Sequence, residues 1–213
     1  MRARKAGKLV GSSEPTRRSI ILRSTYLVIS PFAVGSPRRA RSIVVAPMNI
    51  GIEPKINGLA NHLSSAFPAS LLVGLDGPVI RLGFGQTEIA SSVDLLRRLS
   101  AAIRPDWDRL LGVTDVDLAY TGQTFVFGAA DERRHVAVIS FFRLRPSPPN
   151  DQLLLQRVAK EAAHELGHTY GLRHCANPLC LMAFSSTVEQ IDSKGSTFCS
   201  DHSKELARRM HLS

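Results

Sequence analysis

The sequence lacks most features that mark membrane, disulfide-bonded or fibrous proteins. No apolar run approaches the ~18 residues that a membrane-spanning helix needs. The chain has 3 cysteines, an odd number, which argues against a disulfide framework and leaves a thiolate metal site open. With 15 Gly and 12 Pro in 213 residues, the composition is that of a globular domain, which excludes collagen-like, coiled-coil and wholly disordered chains.

Acidic residues are nearly missing from the beginning of the chain. Residues 1–43 contain ten Lys and Arg but a single acid, Glu14. The remainder has 17 residues of each sign, so the whole net charge of +9 belongs to the first segment. Because the remainder is neutral, its charge gives no reason to expect DNA or RNA as a partner.

We expect residues 1–42 to be a basic, Arg- and Ser-rich leader without stable order, followed by one domain over residues 43–213. Four roles for this leader stay open. It could be an extension without a role, which is the commonest case, or a mitochondrial-type transit peptide. It could also be a secretory signal with Thr25–Val34 as its apolar stretch, or a basic arm that contacts nucleic acid or membrane phosphates.

Alternating strand and helix patterns predict an α/β domain with a mostly parallel sheet. The predicted strands are Ser42–Pro47, Leu71–Val73, Pro78–Leu82, Asp117–Tyr120, Phe125–Phe127 and His135–Leu144. The predicted helices are Ile56–Phe67, Ile89–Ile103 and Asp151–Tyr170. Asp151 follows a Pro-rich loop and is expected to cap the third helix.

The third predicted helix contains the residues that point to catalysis. His164 and His168 are four residues apart, so both imidazoles lie on one helix face and can bind one metal ion. Gly171 allows the chain to leave the helix and to bring back His174 as a third ligand. Three histidines and an open fourth position are what a hydrolytic zinc site requires. Glu165 would then take the proton of a zinc-bound water, which makes it the candidate general base.

All three cysteines follow directly after these histidines. Cys175 and Cys180 form one pair with structural zinc spacing, and Cys199 and His202 form a second. Four protein ligands leave no position for water, so we expect a closed, structural second zinc that folds the C-terminal segment and fixes His174. The alternatives are free buried thiols or one misassigned ligand.

The histidine pattern followed by Met182 resembles the metzincin signature, and the cysteines behind His174 resemble the archaemetzincin family in particular. The resemblance covers most of the predicted domain but not the leader. It implies a metzincin-like zincin fold, with a twisted, mostly parallel sheet, an antiparallel edge strand, an active-site helix and a small C-terminal subdomain stabilised by zinc. It also implies that Met182 lies in a methionine turn and forms the hydrophobic floor of the site.

Two residues depart from the family pattern. His202 stands where the family usually has a cysteine, and imidazole can replace thiolate at zinc. Phe184 stands where some metzincins have a tyrosine, so it cannot stabilise an oxyanion; Tyr120 and Tyr170 are the remaining candidates. The strand His135–Leu144 fits a core strand and an edge strand that pairs with extended substrate equally well.

The sequence therefore predicts a zinc-dependent metallopeptidase with two zinc ions per chain and a peptide or protein substrate. The first alternative is a zinc-stabilised binding or regulatory protein with little turnover. A nucleic-acid module, suggested by the pI of about 10.1, is opposed by the neutral domain. Reduced, metal-binding thiols favour a cytoplasmic location, and a monomer is slightly favoured.

Overall fold

Five strands form the main sheet of this computed structural model, which describes residues 41–48, 58–67, 71–74 and 89–212. Numbered along the chain, they are β1 (Arg41–Pro47), β2 (Leu71–Gly74), β4 (Arg109–Thr114), β7 (Gly128–Asp131) and β8 (Val136–Ser140). Their order is β2-β1-β4-β8-β7; all neighbours are parallel except β7, which pairs antiparallel with β8. The predicted mostly parallel sheet with an antiparallel edge strand is confirmed.

Three short strands form a second sheet of order β3-β5-β6. They are β3 (Ala90–Ser91), β5 (Leu118–Tyr120) and β6 (Gln123–Val126). The helices are α1 (Leu59–Ala66), α2 (Ser92–Ala102), α3 (Asp151–Thr169), α4 (Val188–Ser193) and α5 (Ser200–Leu212), and a 3₁₀ turn covers Phe142–Leu144. Within these described ranges, no helix has both the length and the apolar character to cross a membrane.

The main sheet is covered on both faces, which is why its strands are apolar runs rather than alternating ones. In β1, Ile43 and Val45 pack into the core beneath α1 and α3, while Val44 and Ala46 pack into the core beneath α2. The same alternation occurs in β8. The long helix α3, which carries the candidate site, is therefore held against a buried and rigid support.

Two strands of the main sheet were not expected from the sequence. Strand β4 contains Gly112, which weakens its strand pattern, but a Cβ at this position would lie 2.5 Å from Met48 Sδ, so the close packing over the sheet requires glycine. Strand β7 has no β-branched residue, and its extended form comes from pairing with β8 rather than from intrinsic propensity.

The strand predicted over His135–Leu144 is shorter than expected and lies inside the sheet. It covers Val136–Ser140, is fully buried, and pairs with β4 on one side and β7 on the other. The core interpretation is therefore right, and the interpretation as a substrate-pairing edge strand is wrong, because both backbone edges are already used. Among the described strands, the sheet ends at β2 on one side and at β7 on the other.

Several predictions fall outside the described residues. The whole of the predicted strand Pro78–Leu82 lies outside them. Of the helix predicted from Ile56, only the first two residues lie outside them. The leader also lies outside them, except that Arg41 and Ser42 begin β1. The boundary between leader and domain stays a prediction.

Helix α3 begins as predicted, but its cap is a different residue. The side chain of Asn150 accepts a hydrogen bond from the Leu153 backbone N–H at 2.9 Å, and Asp151 is the first helical residue. Asp151 instead places a negative charge in the first turn, where the helix dipole favours it.

We expect Asn150→Ala to lower the free energy of unfolding by about 1 kcal/mol, because it leaves a helix N–H without its acceptor. Urea denaturation of the zinc-loaded protein measures the difference. Asn150→Asp is the control, since it keeps an oxygen acceptor at the cap and is expected to stay within a few tenths of a kcal/mol of wild type. Equal losses in both variants would contradict the capping role.

Candidate active site

The end of α3 brings the third histidine to the first two. The helix ends at Thr169, and Gly171 follows with a φ of 79°, a left-handed conformation that suits glycine. The backbone N–H of Leu172 donates to the Gly167 carbonyl at 3.1 Å and closes the turn. The chain then runs back past the helix and places His174 beside the other two rings.

The three imidazoles converge on one point. His164 Nε2 and His168 Nε2 are 3.1 Å apart, and ligand nitrogens of His164, His168 and His174 all lie within 4.8 Å of one another. Two nitrogens bound to one tetrahedral zinc at ordinary Zn–N distances would be ~3.3 Å apart. The arrangement therefore fits a single zinc ion with a fourth position toward the cleft.

Two backbone carbonyls fix which nitrogen faces that point. His164 Nδ1 donates to the Leu181 carbonyl at 3.0 Å, and His168 Nδ1 donates to the Leu172 carbonyl at 2.7 Å. With the proton held on Nδ1, each ring directs the Nε2 lone pair toward the shared point. Burial, helped by the charge of Lys194, lowers the pKa of His164 to about 2, so its ring stays neutral and able to bind metal.

Glu165 lies in the cleft next to the histidines, as expected for a general base. Its side chain is buried, and burial, with the charge of Glu161 adding to it, raises the pKa of Glu165 to about 8. Gly128 of β7 makes room for it, because a Cβ at that position would lie 2.7 Å from Glu165 Cγ. The sequence offered no signal for this role of Gly128, which arises only from the packing of β7 on α3.

Met182 lies beneath the helix, where the methionine floor was expected. It is fully buried, and its sulfur would be 2.5 Å from a Cβ at Gly167, between the first two histidines. Its carbonyl accepts from the Cys175 backbone N–H at 2.9 Å. The turn that carries Met182 is thereby tied to the residue following His174.

The predicted second metal site is also assembled. Ligand atoms of Cys175, Cys180, Cys199 and His202 lie within 4.8 Å of one another, and the three cysteines are free thiols. Cys175 Sγ and Cys199 Sγ are 3.9 Å apart, close to the ~3.8 Å expected for two thiolates on one tetrahedral zinc. The four residues offer four donor atoms, the number that a tetrahedral zinc ion binds.

Hydrogen bonds prepare these four residues to bind a cation. Backbone N–H groups of Met182 and Cys199 donate to Cys180 Sγ at 3.4 and 3.3 Å. His202 Nε2 donates to the Arg173 carbonyl at 3.1 Å, which leaves Nδ1 free for metal. A hydrogen bond from the backbone N–H of His202 is the main reason why the pKa of Cys199 is lowered to about 6, which favours its thiolate.

The sequence did not predict a group of ion pairs behind the site, one of which is fully buried. Glu161 Oε1 accepts from Lys194 Nζ at 2.6 Å, with the side chains only 5% and 1% exposed. Arg157 makes a two-pronged ion pair with Asp192, and Lys160 Nζ donates to two carbonyls at the end of α4. These contacts fasten α4, which follows the methionine turn, to α3.

Tyr170, one of the two tyrosines predicted as candidates to stabilise an oxyanion, is excluded by its position. Tyr170 is buried, its hydroxyl donates to Asp108 Oδ2 at 2.5 Å, and the Arg109 guanidinium lies 3.9 Å above its ring. Tyr120 lines the cleft and is half exposed. Phe184 also lines the cleft, with its ring 5.1 Å from that of His174. Tyr120 stays a prediction.

The cleft in front of the histidines has a volume of about 970 Å³. It is lined by residues of β7, by the segment after Met182, and by Glu161 and Glu165 of α3. A space of this size can take up a segment of a peptide.

A family model and curated relatives both match this chain as archaemetzincin-type peptidases. A family model described as peptidase family M54 matches residues 86–208. An archaemetzincin of Thermococcus kodakarensis is 44% identical over 159 residues, which is 73% of this chain and 82% of that protein.

Solved structures agree with the sequence relatives. A crystal structure of archaemetzincin from Methanopyrus kandleri matches with a TM-score of 0.69 and 29% identity, covering 83% of this chain and 99% of that one. The archaemetzincin of Archaeoglobus fulgidus, crystallised with malonate, matches with a TM-score of 0.63 and 31% identity, covering 77% and 99%. The fold and the sequence therefore point to the same relatives.

We expect Lys194→Met to lower the free energy of unfolding by about 3–5 kcal/mol, because it leaves the Glu161 carboxylate buried without its partner. The matched control is the double variant Glu161→Leu/Lys194→Met, which removes both charges and is expected to recover most of the loss. Urea denaturation of both proteins gives the comparison. A single variant as stable as the double would show that the pair is not strongly coupled.

Proposed function

We propose a mechanism on the premise that this chain belongs to peptidase family M54, the archaemetzincins, and is a zinc metallopeptidase. In this mechanism His164, His168 and His174 hold the catalytic zinc and Glu165 is the general base. The convergence of the three ring nitrogens beside a buried carboxylate is the observation that supports it.

When bound, zinc supplies Lewis acidity, which polarises the peptide carbonyl and lowers the pKa of a coordinated water from about 15.7 to near 7. The chain's own residues bind the ion and transfer the protons. His164 and His168 keep their protons on Nδ1 and so remain neutral ligands throughout. His174, exposed on the cleft side, completes the set of three.

Glu165 moves the protons of the reaction. Its carboxylate takes a proton from the attacking water and later passes it to the leaving amine nitrogen. Between the two transfers the proton stays on the Glu165 carboxyl group. Gly128 leaves the space in which the side chain does this.

Strand β7 is the surface on which the substrate chain would align. It pairs with β8 on one side and is the edge of the main sheet as described. Its residues Gly128, Ala129 and Ala130 line the cleft, and their small side chains leave the backbone accessible. An extended peptide can add to such an edge through main-chain hydrogen bonds, which would place a peptide bond near the histidines.

The second group of ligands would hold a structural zinc. Its three thiolates and one imidazole fill a tetrahedral ion, so no position remains for water. Cys175 follows His174 directly, and Cys180 precedes Met182 by two residues. An ion at this point would fix both ends of the turn that borders the catalytic site.

A second candidate function is a zinc-stabilised binding or regulatory protein with little turnover. Phe184 favours it, because this residue is 62% exposed beside His174 and offers no hydroxyl to a developing oxyanion. Retention of Glu165 favours the peptidase, since a binding site built on three histidines does not need a buried carboxylate next to them.

We expect Glu165→Gln to reduce peptide cleavage by roughly 10²–10⁴-fold, because glutamine cannot accept the water proton. Cleavage of a mixture of random peptides, followed by mass spectrometry, measures the loss, and metal analysis should show unchanged zinc. The control is Glu189→Gln, at an exposed residue of α4.

Cleavage at the wild-type rate by Glu165→Gln would remove this residue from the mechanism. A wild-type protein that binds these peptides with zinc present but cleaves none of them would favour the second candidate function.

We expect Cys199→Ser to lower the zinc content from two ions per chain to one, because it removes one of four ligands from the closed site. Elemental analysis of the purified protein counts the ions. His174→Ala is the reciprocal control and should lose the other ion. A wild-type content of one zinc would contradict the second site.

A further inference from the structure

One aromatic side chain at the candidate active site has no part in the mechanism above. Phe184 is 62% exposed and lines the cleft. The centre of its ring lies 5.1 Å from that of the His174 ring, and the two ring planes are inclined by 57°. A large apolar ring that faces water in a cleft is a surface for a ligand to cover, because removing apolar area from water favours binding.

The backbone holds this ring in a fixed place. Ala183, directly before Phe184, is buried, and its N–H donates to the Cys180 carbonyl at 2.9 Å. Ala183 also forms a β-bridge with Cys175, the residue after His174. The rings of Phe184 and His174 therefore project from two segments that are joined to each other. A surface held in this way loses little conformational entropy when a ligand covers it.

The other Phe and Tyr residues of the cleft differ from Phe184. Phe127 is buried. The ring of Phe125 lies 5.5 Å from that of Phe127, and the Arg143 guanidinium lies 4.2 Å above it. Tyr120 is half exposed but belongs to β5 of the second sheet. Among the described Phe and Tyr residues that line the cleft, Phe184 is the one whose ring packs against a candidate zinc ligand.

Phe184 lies within reach of a substrate residue next to the scissile bond. A zinc ion bound by a nitrogen of His174 lies ~3 Å from the centre of that ring, so the centre of the Phe184 ring is at most ~8 Å from the ion. A peptide carbonyl bound to the ion has the Cα atoms of both flanking residues within ~5 Å of it. A large side chain on one of these residues spans the remaining distance to the ring of Phe184.

We propose that Phe184 is a specificity-determining residue that selects an aromatic side chain, that of Phe, Tyr or Trp, next to the scissile bond. Two aromatic rings whose centres are about 4.5–7 Å apart attract each other by more than the area they bury accounts for. This inference rests on the proposed peptidase function and adds the class of its substrate.

Other side-chain classes suit this surface less well. An aliphatic side chain covers the ring of Phe184 without the additional attraction between rings, and a small one leaves the ring in water. An Asp or Glu side chain loses hydration against the ring and gains no hydrogen bond from it. A Lys or Arg side chain can lie over an aromatic ring, but the zinc ion that His174 would bind repels a second cation beside it.

The first test uses two series of peptides, which vary either the residue before or the residue after the scissile bond. In one of the series, we expect the wild-type protein to cleave the Phe peptide about tenfold or more faster than the Ala peptide, measured as kcat/KM. The Phe peptide should also be cleaved several-fold faster than the Leu peptide. No preference for aromatic residues in either series overturns the proposal.

Variants assign this preference to the ring. Phe184→Ala should reduce the Phe/Ala ratio about tenfold, whereas Phe184→Tyr keeps the ring and should keep the ratio. Phe142→Ala is the matched control, because Phe142 is 42% exposed but is not among the described residues that line the cleft. Metal analysis should show unchanged zinc in all three variants. A loss of zinc in Phe184→Ala would assign the residue to the packing of His174 and contradict the proposal.

A binding measurement separates this inference from the peptidase function. Zinc-loaded Glu165→Gln should bind a Phe peptide about tenfold more tightly than an Ala peptide of otherwise the same sequence in fluorescence anisotropy, with no turnover needed. Adding Phe184→Ala should remove the difference.

Equal binding of the two peptides, tighter binding of a Lys or Arg peptide, or a Phe/Ala ratio unchanged by Phe184→Ala overturns the subsite and leaves the peptidase standing. A binding preference for Phe that depends on Phe184, without any cleavage by the wild-type protein, supports the subsite and contradicts the peptidase.

Discussion

The hydrogen bonds from His164 and His168 to two backbone carbonyls are the constraint on which the site depends. Both rings give their Nδ1 proton to a carbonyl, so both present Nε2 to the same point. The acceptors belong to Leu181 and Leu172, residues of the two segments that follow α3. The tautomers on the helix are therefore fixed by the turns that bring His174 and Met182 into place.

The second ligand cluster explains how turns without regular structure hold such geometry. The segment from Cys175 to Met182 contains little secondary structure, yet two hydrogen bonds converge on Cys180 Sγ and another ties His202 to the Arg173 carbonyl. An ion bound here would offset the conformational entropy that ordering these loops costs. The two candidate ligand sets follow each other directly along the chain, since Cys175 comes immediately after His174.

The sequence could predict those parts of the site that lie close together along the chain. His164, Glu165 and His168 share a helix turn, and all three cysteines lie in one stretch of 25 residues, Cys175–Cys199, so their spacing was enough to predict both groups. The cap of α3 was misplaced by one residue because Asn150 and Asp151 are both good capping residues. Strands β4 and β7 were not predicted, because Gly112 and Gly128 weaken the strand pattern. Both glycines are required by close packing against residues that are distant in the sequence.

The buried ions around α3 could not be predicted for a further physical reason. Glu161 and Lys194 are 33 residues apart, and each alone has the pattern of a solvated charge. Burying such a pair seldom stabilises a protein more than apolar residues of the same volume would. What the pair does here is geometric, because it ties the end of α4, the helix that follows the methionine turn, to α3 beside the three histidines.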